Sequence, residues 1–248
     1  VFCCSCTLEA AEVVCNGSGG LDVLNGLESL VDQSLLQPSD VHGEPRFGML
    51  ETIREYALER LADSGEAEVV RRRHANFFVA LAEETEPKLD GAEQAAWLNR
   101  LETEHDNLRA ALGWALEREG ACSEPAEGAD AELGLRLAAA LGKFWFMRGH
   151  WTEARRWLER ALEKSSETPA PVRAKGLWMT GLWQENPERA KPLLQESLAL
   201  YRQVEDRRGV ARALSGLGHV ADDLEQAIAL HEQSLALFRE LGGKSDIS

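Results

Sequence analysis

The chain has 248 residues, 44% of them hydrophobic and 28% charged, and its formal net charge is −15. This length exceeds one typical globular domain, so more than one module is expected. No run of 18 apolar residues occurs, which argues against a membrane span. The excess of acidic residues disfavours a general nucleic-acid surface, because such a surface needs cations to displace counterions from phosphates.

Five cysteines occur, an odd number, and no secretory signal with a basic head precedes them. This pattern favours a cytoplasmic protein. We interpret Cys3, Cys4, Cys6, Cys15 and Cys122 as small buried thiols. Zinc binding by the first four is the alternative, but they lack the paired spacing of structural zinc sites, so no metal is predicted.

Residues 1–64 are predicted to form one small unit. Thr7 is suited to cap the first helix, and a loop rich in Gly and Ser ends that helix. The predicted elements are a helix over 8–15, a helix from Leu21, extended segments over 34–37 and 46–49 around a turn-rich 38–45, and a helix over 52–63. Helix, helix, hairpin and helix is the order of a winged-helix unit.

Many winged helices bind DNA by placing the second helix in the major groove, where Arg, Lys, Asn or Gln contact bases and phosphates. Here the second helix and the residues after it carry Asp22, Glu28 and Asp32, with no Lys or Arg before Gln37. Residues 1–64 contain three basic and eleven acidic residues. This charge argues against DNA binding through the unit. A DNA-binding transcriptional regulator is the alternative function.

The middle of the chain is predicted to be helical over 66–84 and 93–117, with Pro87 and Gly91 breaking the chain between them. Residues 120–130 are small and acidic, which predicts a flexible loop.

Catalytic motifs are not evident. The six histidines are scattered without a recurrent partner spacing. We interpret Arg71 to His74 as a solvated helix face rather than a phosphate site. Glu102, Glu104 and Asp106 are interpreted as surface carboxylates. The segment is therefore not predicted to be an enzyme.

One amphipathic pattern recurs in the second half of the chain. WLERALE from Trp157, LLQESLALYRQ from Leu193 and LHEQSLALFRE from Leu230 superpose at shifts of 36 and 37 residues. The first copy, from Leu141 to Ala161, has the order and spacing of a tetratricopeptide repeat. The pattern predicts an α-solenoid of helix pairs.

Small residues suggest where the paired helices touch. In the first copy Gly142 and Ala154 are expected at the contact, with Trp145 and Trp151 filling the gap between the helices. Ala154 follows Gly142 by twelve residues, whereas in the later copies Ala190 and Ala227 follow a Gly by only nine. This difference predicts short first helices in those copies, over 177–183 and 214–222.

Four segments carry a family resemblance: TLEAAEVVC, LESLVDQSLL, RFGMLETIREYALERLADSG and EHDNLRAALGWALE. Together they resemble large bacterial regulators among the signal-transduction ATPases with numerous domains (STAND, NB-ARC-like). In that family a nucleotide-binding domain precedes a winged helix and tetratricopeptide repeats. The resemblance, together with a start at Val1 rather than Met, implies a fragment without the ATPase; ATP or ADP is implied for the full-length parent and no cofactor for the fragment.

The nucleotide site itself is expected elsewhere. No G-x4-G-K-[ST] loop occurs, and Gly243-Lys244-Ser245 follows a helix rather than a strand. In related ATPases a Met-His-Asp motif in the winged helix contacts bound ADP. Met49, Leu50 and Glu51 resemble its counterpart, although Leu50 has no donor for a phosphate.

The predicted fold is mainly α, a winged-helix unit with a short β-hairpin followed by an α-solenoid of tetratricopeptide-like helix pairs. Its predicted regions are the winged helix 1–64, a helical linker region 65–119, a flexible loop 120–130, repeats 131–242 and a disordered tail 243–248. The predicted function is regulation through protein interaction. The repeats would bind a peptide or protein, and the winged helix would couple that event to the absent nucleotide-binding domain of the same chain.

By resemblance, the first helices of the repeats face the partner. The inward positions would be Arg136, Lys143, Phe146, Arg212 and His219.

Overall fold

The computed structural model describes residues 1–16, 20–117 and 126–242. The chain divides into two compact units: Val1–Leu81 with Asn99–Glu119, and Ala82–Leu98 with Gly120–Ser248. The predicted helical linker region is thus shared between the units. Among the described residues, no helix is long and apolar enough to cross a membrane.

The first unit begins with a small antiparallel sheet in the order β1-β3-β2. Its strands are β1 (Ser5–Thr7), β2 (Gln37–Val41) and β3 (Glu44–Gly48). In the register, Cys6 of β1 and Pro38 of β2 both lie opposite Phe47 of the central strand. The hairpin is confirmed, but its strands extend into the stretch predicted as a turn. The turn is only His42 and Gly43, both at positive φ, and β1 was not predicted.

Three helices belong to the same unit as this sheet. They are α1 (Leu8–Cys15), α2 (Val23–Asp32) and α3 (Glu51–Asp63). Thr7 caps α1 as predicted, since its hydroxyl accepts a hydrogen bond from the Ala10 N–H at 3.1 Å. The core of this unit combines Ala10 and Ala11 with Leu27 and Leu36. By contrast, α3 has no fully buried residue.

The middle of the chain forms α4 (Ala67–Thr85), a 3-10 turn (Glu86–Asp90), α5 (Gln94–Thr103) and α6 (His105–Leu116). The single helix predicted over 93–117 was wrong, because α5 ends before Glu104 and α6 begins after it. Glu104 was also interpreted wrongly as a surface carboxylate, since it is buried. It lies 2.5 Å from the guanidinium of Arg46.

The second unit contains three helix pairs. Their helices are α7 (Ala126–Arg148), α8 (Trp151–Lys164), α9 (Ala170–Leu182), α10 (Pro187–Gln203), α11 (Arg207–His219) and α12 (Leu224–Glu240). Residues 126–130, predicted in a loop, belong to α7; positions 118–125 and the predicted tail 243–248 lie outside the described residues.

The predicted short first helices were wrong, because α9 and α11 each have 13 residues. The second helices start at Trp151, Pro187 and Leu224, which keeps the shifts of 36 and 37 residues. At these shifts Gly142 corresponds to Trp178 and Ser215. Gly181 and Gly218 were therefore compared with the wrong position, and no residues are missing from the later copies.

In the second and in the third helix pair, the same hydrogen bond joins the two helices of the pair. The Ser197 hydroxyl donates to the Ala174 carbonyl oxygen at 2.7 Å, and the Ser234 hydroxyl donates to Ala211 at 2.7 Å. These two contacts are related by the 37-residue shift. The same backbone geometry is therefore repeated in both pairs.

Candidate functional site

Three aromatic rings form a cluster on the repeats, in which two rings are exposed and Trp183 is half-buried. Phe146 lies in the last turn of α7, Trp151 starts α8 and Trp183 follows α9. Their ring centroids are 5.8 to 6.3 Å apart. Phe146 is 61% exposed and Trp151 58% exposed. Trp145 is fully buried as predicted, but Trp151 does not fill the gap between the helices.

The aromatic cluster borders a pocket of about 550 Å³. Apolar side chains from α9, including Trp178, Met179 and Leu182, form much of its wall. Lys143, Arg155, Glu185 and His219 add polar groups, together with Thr152 and Gln184. A concave apolar surface with a few polar groups is the usual form of a ligand-binding pocket.

A second pocket of about 530 Å³ lies along the first helices of the pairs. Its walls carry charged groups of both signs. The charged or titratable side chains at this pocket are Glu86, Asp90, Lys143, Lys175, Tyr201, Asp206, Arg212 and His219.

Carboxylates of the same unit already engage three basic side chains of α7 and α9. Arg136 donates to both oxygens of Glu83 at 2.8 and 2.7 Å. Lys175 lies 2.5 Å from Glu86, and Lys143 is paired with Asp90. Glu83 also raises the pKa of Arg136 through these hydrogen bonds. Positive charge on this face is therefore largely balanced within the chain.

The two predicted partner-binding residues on α11 also have contacts within the repeats. The Trp178 indole N–H donates to the Arg212 carbonyl oxygen at 3.2 Å, and the Arg212 guanidinium lies 5.5 Å from the centre of the Trp178 ring. Nδ1 of His219 lies 2.7 Å from the Ser215 carbonyl oxygen. The His219 and His231 rings are perpendicular, with centroids 5.0 Å apart.

The structure brings together most of the predicted partner-binding residues. Lys143, Phe146 and His219 line the first pocket, and Lys143, Arg212 and His219 line the second. Arg136 lines neither of these two pockets. Their role in binding a partner stays a prediction.

Sequence reasoning missed Trp151, Trp178 and Trp183 as candidate site residues. The available signal was the concentration of Trp between residues 145 and 183, where five of the seven Trp residues lie, but a Trp in a repeat is read first as core.

In the first unit, the residues compared with a nucleotide sensor surround the start of α3. Leu50 precedes the first helical residue and its side chain makes no capping hydrogen bond. Glu51 binds Arg54, with the Nε to carboxylate distance at 3.0 Å, and this hydrogen bond lowers the pKa of Glu51. Met49 packs on the small core. The comparison of these residues with a nucleotide sensor stays a prediction.

The four described cysteines are free thiols in different environments. Cys6 is buried and Cys3 half-buried, but Cys4 and Cys15 are exposed, so the interpretation of all of them as buried thiols was wrong. Burial raises the pKa of Cys6 to about 12, and a hydrogen bond to Asp106 raises that of Cys4 to about 11. Cys122 lies outside the described residues. These shifts make the two thiols poor nucleophiles at neutral pH.

A buried polar network holds the first unit together. Arg46 donates to the Ser5 hydroxyl at 2.9 Å and to the Ser5 carbonyl oxygen at 3.2 Å, in addition to its ion pair with Glu104. Asn107 donates to Glu104 at 2.7 Å and to the Ser5 carbonyl at 3.0 Å. The network ties α6 to β1 and β3. Its position in the interior indicates a structural rather than a catalytic role.

His74 is also buried, so it was wrongly interpreted as part of a solvated helix face. Its ring centroid lies 5.2 Å from that of Phe2 and 4.6 Å from that of Phe78. Burial among these rings lowers the pKa of His74 to about 3.

Comparison with protein families agrees with this architecture. Residues 1–62 match a family described as a winged helix-turn-helix domain, and 135–168 and 179–240 match tetratricopeptide repeat families. The chain thus combines a winged helix with tetratricopeptide repeats.

Similar curated proteins come from mycobacteria. Proteins of Mycobacterium tuberculosis (strain H37Rv) and Mycobacterium bovis, each named "Putative HTH-type transcriptional regulator", are 37% identical over 224 residues. The alignment covers 85% of this chain but 24% of each relative. The chain therefore spans about a quarter of the length of these relatives.

Proposed function

We propose that this chain is the regulatory, partner-binding part of a signalling or transcriptional regulator. The repeats bind a peptide or protein segment, and the aromatic cluster of Phe146, Trp151 and Trp183 anchors it. The contact among these three rings, with Phe146 and Trp151 exposed, is the observation that carries the proposal. Aromatic side chains at the centre of an interface contribute much of its binding energy, because they bury large areas with little loss of conformational freedom.

The charges on the inner face support recognition by aromatic groups rather than by cations. Arg136 and Lys143 already have carboxylate partners in Glu83 and Asp90. A partner's carboxylate would have to exchange with these groups and would gain little, since partly exposed ion pairs contribute about 0–1 kcal/mol. Lys143, Arg212 and His219 then orient the partner, and Arg136 has a structural role.

The anchor role is tested with a phage-displayed library of random 12-residue peptides panned on the whole chain. We expect enriched peptides that lose binding when Trp151→Ala and Trp183→Ala are combined. Tyr56→Ala is the matched control, because Tyr56 is an exposed aromatic residue (60%) of the first unit. Failure to enrich peptides, or equal binding to the double variant, would refute the proposal.

The winged helix is proposed to couple partner binding to a nucleotide-binding domain in the full-length protein. Support comes from the family resemblance and from the relatives, which extend well beyond the aligned region. The complete open reading frame provides the test. A phosphate-binding loop G-x4-G-K-[ST] upstream of the winged helix is expected, and a complete frame without one would contradict the coupling.

DNA binding through the winged helix is the second candidate, because the mycobacterial relatives are named as HTH-type regulators. Against it stands the acidic α2, which begins after its capping residue Asp22 and contains no Lys or Arg. We expect no gel shift of a 30-base-pair random-sequence duplex by the chain at 50 mM salt. A shift that weakens steeply with salt and with Arg54→Glu would instead favour this candidate.

A further inference from the structure

The outer face of α12 differs from the corresponding faces of the other second helices. Ile228 on this face is 48% exposed, whereas the corresponding positions of α8 and α10 carry Arg155 and Lys191. Leu235 is half-buried, and Ser234 and Phe238 are the buried residues of this helix. Terminal repeats of a solenoid usually carry a polar outer face, so the apolar face on α12 needs an explanation.

The preceding junction shows what covers such a face. At a shift of 37 residues, Leu198 of α10 corresponds to Leu235, and Leu194 corresponds to His231. Leu194 is fully buried and Leu198 nearly so, in a core shared with Ala213, Leu214 and Leu217 of α11. The following first helix therefore covers this face of α10.

Small residues allow that close packing. A side chain at Gly209 would overlap the Tyr201 ring, and a Cβ at Gly216 would lie 3.0 Å from Leu194 Cδ2. The large side chains of α10 therefore pack against glycines of α11. A helix that covers α12 needs similarly small residues on its inner side.

An equivalent ion pair also occurs at both places where one helix pair packs against the next. Arg155 of α8 lies 3.0 Å from Glu185, in the loop after α9. Lys191 of α10 lies 2.5 Å from Asp222, in the loop after α11. The cations are 36 residues apart and the carboxylates 37. The next position in this series of cations is Ile228, so α12 carries an apolar residue where α8 and α10 carry a cation.

We infer that the outer face of α12, formed by Ile228, His231 and Leu235, binds a further helix pair of the same repeat geometry. The first helix of that pair packs on Leu235 and His231 through small residues. Its loop carries an apolar residue opposite Ile228, where Glu185 and Asp222 stand at the other junctions. The surface continues an interface that the chain already forms internally.

The test extends the chain by one repeat. A second copy of residues 206–242, which equals the 37-residue period, is joined directly after Gly242. One extended chain carries this copy unchanged and a second carries Asp222→Leu in the appended copy only. A third combines the unchanged copy with Ile228→Lys, which recreates the pairing of Lys191 with Asp222.

Hydrogen exchange of peptides from 224–241 is the readout. We expect at least tenfold slower exchange than in the unextended chain for the Asp222→Leu copy and for the Ile228→Lys chain, and a smaller effect for the unchanged copy. Equal exchange in all three extended chains would overturn the inference, as would equal exchange in extended and unextended chains.

A second measurement tests the alternative that another copy of this chain covers the face. It uses the unextended chain, so it can be made even if the extended chains do not fold. Light scattering after size exclusion should give a monomer for the unextended chain. A dimer that Ile228→Glu dissociates and the exposed-site control Val69→Glu leaves intact would overturn the inference in favour of self-association.

Discussion

Replacing Arg46 by Met should destabilise the first unit strongly. Arg46 is 1% exposed, and its removal leaves the buried Glu104 carboxylate with only the Asn107 amide among its partners described above. Breaking a buried ion pair by removing one partner costs about 3–5 kcal/mol, because the remaining charge stays buried without compensation. Loss of the two hydrogen bonds to Ser5 acts in the same direction.

Removing the stranded charge as well should recover much of the loss. The double variant Arg46→Met with Glu104→Gln keeps an acceptor for Asn107 but no buried charge, so we expect it to regain about half of the lost stability or more. Arg60→Met is the control. Arg60 pairs with Asp63 on the surface, where such a pair contributes about 0–1 kcal/mol.

Urea unfolding followed by circular dichroism measures these differences. Hydrogen exchange in β3 should be measured in parallel, because two compact units need not unfold together. The reasoning fails if Arg46→Met costs less than about 1 kcal/mol. It also fails if the double variant is no more stable than the single one.

Two further predictions concern packing and pH. Gly209→Ala should cost about 1–3 kcal/mol in urea unfolding, because the added methyl group overlaps the buried Tyr201 ring, whereas Gly26→Ala in the exposed interior of α2 should stabilise by about 0.5–1 kcal/mol; equal effects would contradict the packing. His74 stays neutral in the fold, with a pKa of about 3, but takes up a proton in the unfolded chain below pH 6.5. Stability should therefore fall as pH drops from about 6.5 towards 3, by up to about 1.4 kcal/mol per unit. His74→Leu should flatten the urea midpoint between pH 7 and 5, and an unchanged slope would refute this origin.

The sequence predicted correctly those elements that are marked by a capping residue or by amphipathic spacing within the element itself. Thr7 caps α1, and the amphipathic spacing placed α3 within one residue of its observed start. The hairpin was displaced because β2 is an edge strand with almost entirely exposed side chains, so it lacks the alternation that identifies a strand. Glu104, at the break between α5 and α6, is buried against Arg46, far away in sequence, and periodicity does not report such a contact.

The repeat period was readable, but the helix lengths were not. Gly and Ala recur for several different packing reasons, and only the start of α10 and α12 relative to α8 shows which Gly positions correspond. Only some residues of the candidate site were predicted from the sequence. Phe146 and Lys143 were chosen by resemblance, as inward positions of a first helix, while the exposure of Trp151 and the pairing of Arg136 with Glu83 depend on tertiary contacts.

The central claim is that aromatic rings, rather than the basic side chains of the inner face, anchor the partner. Calorimetric titration of one enriched peptide tests it most directly. The account predicts that Trp151→Ala with Trp183→Ala weakens binding at least tenfold, since truncated anchors typically cost about 2 kcal/mol or more. Arg136→Glu with Glu83→Arg should change affinity less than about threefold. A large loss in the charge-swapped chain with little loss in the tryptophan variant would contradict the account.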